Sequence, residues 1–78
     1  MKATITIMPK KGVLDPQGKA ISQALLGLGF EDVGEVRQGK MVTVDVSDET
    51  TREQIQDMCE KLLANPVIED YDIDIEEA

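Results

Sequence analysis

The side chains able to do chemistry in this 78-residue sequence are few, and their spacing does not bring them together. There is one cysteine, Cys59, and no histidine. A thiol nucleophile wants a base beside it. Cys59 instead falls at an apolar helix spacing, where a buried cysteine behaves as a small hydrophobe. Asp70, Asp72 and Asp74 alternate along one segment, which suits a solvated, edge-protecting row of charge. Cation binding or glycoside hydrolysis would need carboxylates converging from several elements. Gly12 and Gly18-Lys19 hint at a phosphate loop, but the spacing is not that of a Walker motif, and Ala20 stands where a Ser or Thr should follow. What survives is the turn Gly12-Val13-Leu14-Asp15-Pro16-Gln17-Gly18, together with a small basic patch at Arg37, Gly39 and Lys40.

Charge narrows the partners. The chain carries 16 acidic and 8 basic residues, a net charge of −8. Nucleic acids are bound by cations that displace counterions from phosphates, so this balance argues against them. An anionic membrane surface is disfavoured for the same reason, and no apolar run approaches the roughly 20 residues of a membrane span. Met1 to Met8 alternates polar and apolar residues and so lacks the continuous apolar stretch of a signal peptide. A soluble, cytoplasmic chain of one domain is the expectation. So short a chain buries only about 60–65 % of its unfolded surface, which favours self-association.

The elements that would position these residues follow from periodicity and caps. Lys2 to Met8 alternates, with Ala3, Ile5 and Ile7 on one face, and predicts a half-buried strand ended by Pro9. Asp15 is a helix N-cap and Pro16 a first helical residue. Ala20, Ile21, Ala24, Leu25 and Leu28 then form one apolar stripe, closed by a left-handed Gly29 with Phe30 folding back. Leu26 lies off that stripe. Gly18 is a poor helix former, so something other than propensity holds it there. Val33 to Gln38 predicts a weaker strand, turned at Gln38-Gly39 into a stronger one from Lys40 to Val46. Thr50 and Glu53 have the spacing of a capping box. Ile55, Met58, Cys59, Leu62 and Leu63 give the second helix its stripe, and Asn65-Pro66 stops it. Val67 to Ile75 predicts the last strand, and Glu76, Glu77 and Ala78 a frayed tail.

The order β-α-β-β-α-β predicts an α+β fold of the ferredoxin-like, split β-α-β type, a four-stranded antiparallel sheet with two helices on one face. Its open face would show Thr4, Thr6, Met8, Met41 and Thr43, apolar enough to suggest homo-oligomerisation there or at a sheet edge. Other tenants of this topology fail on residues. An acylphosphatase-like turn would want an arginine where Lys10 and Lys11 stand. A metal-trafficking domain would show a paired Cys-x-x-Cys. RNA-recognition domains stack bases on aromatics of the central strands, whereas the aromatics here are Phe30 and Tyr71.

Three stretches carry a family resemblance: Gly12-Val13-Leu14-Asp15-Pro16-Gln17-Gly18-Lys19-Ala20, Val36-Arg37-Gln38-Gly39-Lys40, and Cys59 through Tyr71 with its Asn65-Pro66. Together they resemble the PurS family, the small subunit of phosphoribosylformylglycinamidine synthase in de novo purine biosynthesis. The resemblance implies a non-catalytic assembly subunit. The enzyme it implies is a C–N ligase of several chains that converts formylglycinamide ribonucleotide to its amidine. It also implies a homodimer or dimer of dimers bridging a synthetase subunit (PurL) and a glutaminase subunit (PurQ). ATP and Mg would sit on the synthetase, and no cofactor on this chain. The expected partner-binding residues are Gly12, Val13, Leu14, Asp15, Pro16, Gln17, Gly18, Arg37, Gly39 and Lys40. A small-molecule sensor of the ACT type, which shares the β-α-β-β-α-β order, is the alternative.

Overall fold

Alternation along the first segment decides the core. In the computed structural model, which describes residues 1–77, strand β1 (Lys2–Pro9) buries Ala3, Ile5 and Ile7 completely. It is followed by α1 (Pro16–Gly27), β2 (Lys40–Asp45), α2 (Arg52–Met58) and β3 (Glu69–Glu76). Helix α2 runs on as a π-helical turn, Cys59–Leu63, closed by a bond of 2.9 Å from the Ala64 N–H to the Cys59 carbonyl. β1 is central and pairs antiparallel with both neighbours, in the order β2-β1-β3. The register sets Ala3 opposite Val44 and Ile75, and Ile5 opposite Val42 and Ile73, so one face is aliphatic across all three strands.

Helix α2 covers that face with Ile55 and Cys59, both fully buried. Each isoleucine so buried contributes about 1.5–3 kcal/mol. Two polar ties hold the helix down. Arg52 donates to the Ile73 carbonyl at 3.1 Å, and the Tyr71 hydroxyl donates to a Glu60 carboxylate oxygen at 2.8 Å. The second bond raises the Tyr71 pKa above its ordinary value, because it favours the protonated phenol. Cys59 is core, as its spacing implies, and burial pushes its thiol up.

The four-stranded ferredoxin-like sheet is not formed. The chain is still α+β, but its order is β-α-β-α-β around three strands. The segment expected to be the extra strand, residues 33–38, has no regular structure. Val33 and Val36 are three apart, so an extended backbone would point them to opposite faces, and Gly34 between them adds nothing to either. Gln38-Gly39 makes no hairpin turn. Gly39 instead crosses close to β1, where a side chain would collide with the Ile7 carbonyl and Met8 Sδ. The strand after it is consequently an edge, not a central strand. Two smaller expectations shift as well. The capping box is Thr51 with Gln54, one residue on from Thr50 and Glu53. Glu76 is not frayed but pairs with Lys2 in the ladder. Ala78 lies outside the described residues.

Helix α1 has the local signals it was expected to have. Asp15 caps it and Pro16 opens it. At the other end Gly29 has φ +99°, the Gly29 N–H meets the Leu26 carbonyl at 3.0 Å, and the Phe30 N–H meets the Leu25 carbonyl at 3.0 Å. Those two bonds are the Schellman pattern. Yet the stripe it was expected to bury stays in solvent. Ile21 is 39 % exposed and Leu28 74 %, and no residue of α1 is among those that form or pack on the core. Gly18 alone is buried in this helix. The molecule is accordingly long and thin, 50 × 28 × 14 Å with a radius of gyration of 15.9 Å. A compact chain of this length would have about 11.5 Å.

Candidate partner-docking site

The turn between β1 and α1 is built from a few bonds. The Lys10 N–H donates to the Ile68 carbonyl at 2.8 Å, tying the end of β1 to the chain entering β3. The Val13 N–H closes on the Lys10 carbonyl at 3.0 Å, and Gly12, third in that four-residue turn, has φ +88°. Only glycine adopts such a φ without strain, as a type II turn requires. Val13 and Leu14 are then carried out to the surface, and Leu14 is 77 % exposed.

Asp15 does more than cap. One carboxylate oxygen accepts from the Gly18 N–H at 2.9 Å, the other from the Gln38 N–H at 2.7 Å. These backbone donors, Gly18 first and Gln38 second, hold its carboxyl below the ordinary value, with the Arg37 charge adding a smaller push. Gly18 is there because it must be small. A Cβ at that position would run into the Val36 carbonyl and the Asp15 carboxylate. Arg37 donates to the Pro9 carbonyl. Thus the two sequence-expected groups, residues 12–18 and residues 37–40, form one unit. Its fasteners are Asp15, Gly18 and Arg37.

The residues of the basic patch are all exposed, each in its own setting. Arg37 is turned onto backbone, Gly39 lies against β1, and Lys40 is the exposed first residue of β2, opposite Ile7. What the unit presents outward is mixed, with Leu14 exposed beside Gln17, Arg37, Gln38 and Lys40. Leu14 stands between two shallow depressions of about 250 and 290 Å³. Pro9, Pro16 and Ile68 line one, and Val36 and Ser22 the other. Val36 and Ile68 were not foreseen as site residues. Ile68 comes from the far end of the chain, and nothing in its local sequence marks it. Among the described residues no group of three or more carboxylates and thiols is placed to hold a metal ion.

Comparison with known proteins decides the family. The family described as "PurS: Phosphoribosylformylglycinamidine (FGAM) synthase" matches residues 2–77. This chain belongs to the PurS family. It is 49 % identical to phosphoribosylformylglycinamidine synthase subunit PurS of Methanocaldococcus jannaschii, over 96 % of this chain and 94 % of that one. The solved PurS structure of Bacillus subtilis superposes with a TM-score of 0.89 at 42 % identity, covering 97 % of this chain and 98 % of that one. A structure of PurLQS from Thermotoga maritima contains a chain that matches with a TM-score of 0.80 at 32 % identity, over 94 % and 93 % of the two chains. The chain is a PurS subunit of phosphoribosylformylglycinamidine synthase in purine biosynthesis, a multi-subunit ligase in which its own part is non-catalytic. No helix among the described residues is long and apolar enough to cross a membrane.

Proposed function

We propose that this PurS chain works in the cytoplasm as a homodimer, or a dimer of dimers, that holds a synthetase subunit and a glutaminase subunit in register. Ammonia released by the glutaminase protonates and diffuses away in water, so the two active sites must be held together and the route between them shielded. ATP and Mg belong to the synthetase in this reading, and the present chain contributes shape. The observation that carries it is the fastened turn. Asp15, Gly18 and Arg37 lock residues 12–18 and 37–40 into one unit that exposes Leu14 and no convergent chemistry. A rigid apolar tip fills a pocket on a partner with little ordering cost.

The ACT-type alternative rested on a β-α-β-β-α-β order. The three-stranded sheet removes that support.

The test is reconstitution. Glutamine-dependent synthetase activity is measured from the two larger subunits with and without this chain. The reading requires activity to depend on the chain and to fall with a folded Leu14→Asp variant. Activity indifferent to the chain overturns it, and activity indifferent to Leu14→Asp removes the turn from the docking surface.

A further inference from the structure

The 8 basic residues of this chain are unevenly placed. Lys10, Lys11, Lys19, Arg37 and Lys40 gather where β1 ends and the arm formed by α1 begins. Lys10 and Lys11 follow β1, Lys19 lines the same depression as Leu14, and Lys40 opens β2 opposite Ile7. Lys11, Lys19 and Lys40 are exposed. Lysines elsewhere are paired: Lys2 meets Glu76 at 4.0 Å, and Lys61 meets Asp57 at 3.1 Å. None of the lysines at the turn has an ion pair among the described residues. The carboxylates near them are engaged otherwise. Asp15 accepts two backbone N–H groups, and Glu69 accepts from the Asn65 N–H at 2.7 Å.

The other end of the sheet has the opposite sign. Asp45 and Glu76 flank Lys2 in the ladder, Glu77 shares their depression, and Asp48 follows β2. The 8 residues of β1 put about 25 Å between the two ends. Salt screens exposed charges beyond about 8 Å at physiological ionic strength, so the acidic end does not neutralise the turn. The net charge of −8 thus conceals a locally cationic tip.

We infer that this tip docks on a carboxylate-rich patch of one of the larger subunits, with Leu14 at the centre of the contact and Lys10, Lys11, Lys19 and Lys40 around it. This rests on the assembly reading above and specifies the chemistry of the surface that meets the turn. Interfaces have this anatomy, an apolar centre inside a polar rim. Lysine is a hydrated point charge on a flexible stem, so it steers an approaching partner better than it makes a fixed buried pair. Other occupants fit less well. A second copy brings the same turn, so a twofold axis here sets lysines against lysines. A turn seated on the acidic end of another copy repeats head to tail without closing. A nucleic acid passing over the tip meets Asp70, Asp72 and Asp74 along β3. A free phosphate needs donors aimed at one point, whereas Arg37 is spent on the Pro9 carbonyl.

The test is the rate at which the full chain associates with the two larger subunits, measured at about 0.1 M and about 0.5 M salt. Wild-type association should slow about 10-fold or more across that range, because salt removes the steering. The triple variant Lys11→Gln, Lys19→Gln, Lys40→Gln should show the slow rate already at low salt and lose most of the salt dependence. Amide protection of β1 checks that its core is folded. Lys11→Gln alone should lower the rate about 2- to 3-fold, whereas Lys2→Gln, which removes the same charge from the far end, should leave it unchanged. Failure of the wild type to form any complex overturns the assembly reading together with this inference. A complex whose rate ignores salt, or ignores the triple substitution, overturns the inference alone. So does an equal effect of Lys2→Gln and Lys11→Gln, which would make net charge the cause. A triple variant whose mass differs from the wild type in sedimentation of the chain alone would assign the lysines to a second copy. Capture of the wild type by a single-stranded oligonucleotide would assign them to a nucleic acid. Either result overturns the inference.

Discussion

Helices α1 and α2 are alike in design and opposite in outcome. Each has a side-chain N-cap, from Asp15 and Thr51 respectively, and each carries an apolar stripe. α2 spends its stripe on the sheet, and Ile55 and Cys59 become core. α1 keeps its stripe in solvent and is held at its base by bonds to backbone. Caps and periodicity thus decide that a helix forms, while the place where it packs depends on whether the chain can carry its stripe to a sheet. Here the chain cannot, because the segment after α1 is not a strand and the turn before it is fastened.

The largest difference between the regions should appear in truncation to alanine. Ile5→Ala or Ile55→Ala opens a cavity in a fully buried site and should cost about 2–5 kcal/mol by urea unfolding. Leu28→Ala, in the exposed stripe, should leave the unfolding of an isolated monomer within about 0.5 kcal/mol. Equal losses would mean that α1 packs on its own sheet.

Gly18→Ala comes next. The new Cβ meets the Val36 carbonyl and the Asp15 carboxylate, and overpacking of this kind costs about 1–3 kcal/mol. The damage should be confined to the arm. Hydrogen exchange should accelerate in residues 16–30 and 36–39 while β1 stays protected. Uniform acceleration would erase the distinction between the regions.

Acid should loosen the same fastening before it touches the apolar core. The Asp15 carboxyl is held below its ordinary value of 3.8. A depressed folded pKa means that its stabilisation is complete above that value and is lost as pH falls through the folded one. The amide resonances of Gly18 and Gln38 should therefore be flat from neutral pH down to about 4 and move together below it. A midpoint above 3.8 would show that the carboxylate is not held by those two donors.

Smallest is the effect expected from the exposed pair Lys2–Glu76, at 4.0 Å. Lys2→Ala should change stability by less than about 1 kcal/mol, and a larger loss by thermal unfolding would mean that the edge of the sheet depends on charge.

Much of this could be read from local sequence. Alternation in β1 and β3, the Asp15-Pro16 start, the Gly29 stop and the core role of Cys59 are all short-range effects. Each is set by a residue and its near neighbours, through a cap, a φ angle or a repeat. The geometry of the first turn was legible for the same reason, since Gly12 and Asp15 announce themselves. The partner of Arg37 was not legible, because it is the Pro9 carbonyl 28 residues away.

What the sequence by itself determined is the set of pieces and, through three short stretches, the family. What only the tertiary structure decided is their pairing. Residues 33–38 had enough valine to suggest a strand, but pairing requires the side chains of one face to reach a neighbouring strand, and theirs do not. Asp15 was a cap in sequence and became a clasp when Gln38 arrived beside it. Gly18, unexplained by helix propensity, proved to be the point where the Val36 carbonyl passes too close for any side chain. Such contacts join residues far apart in the chain, so no local pattern encodes them.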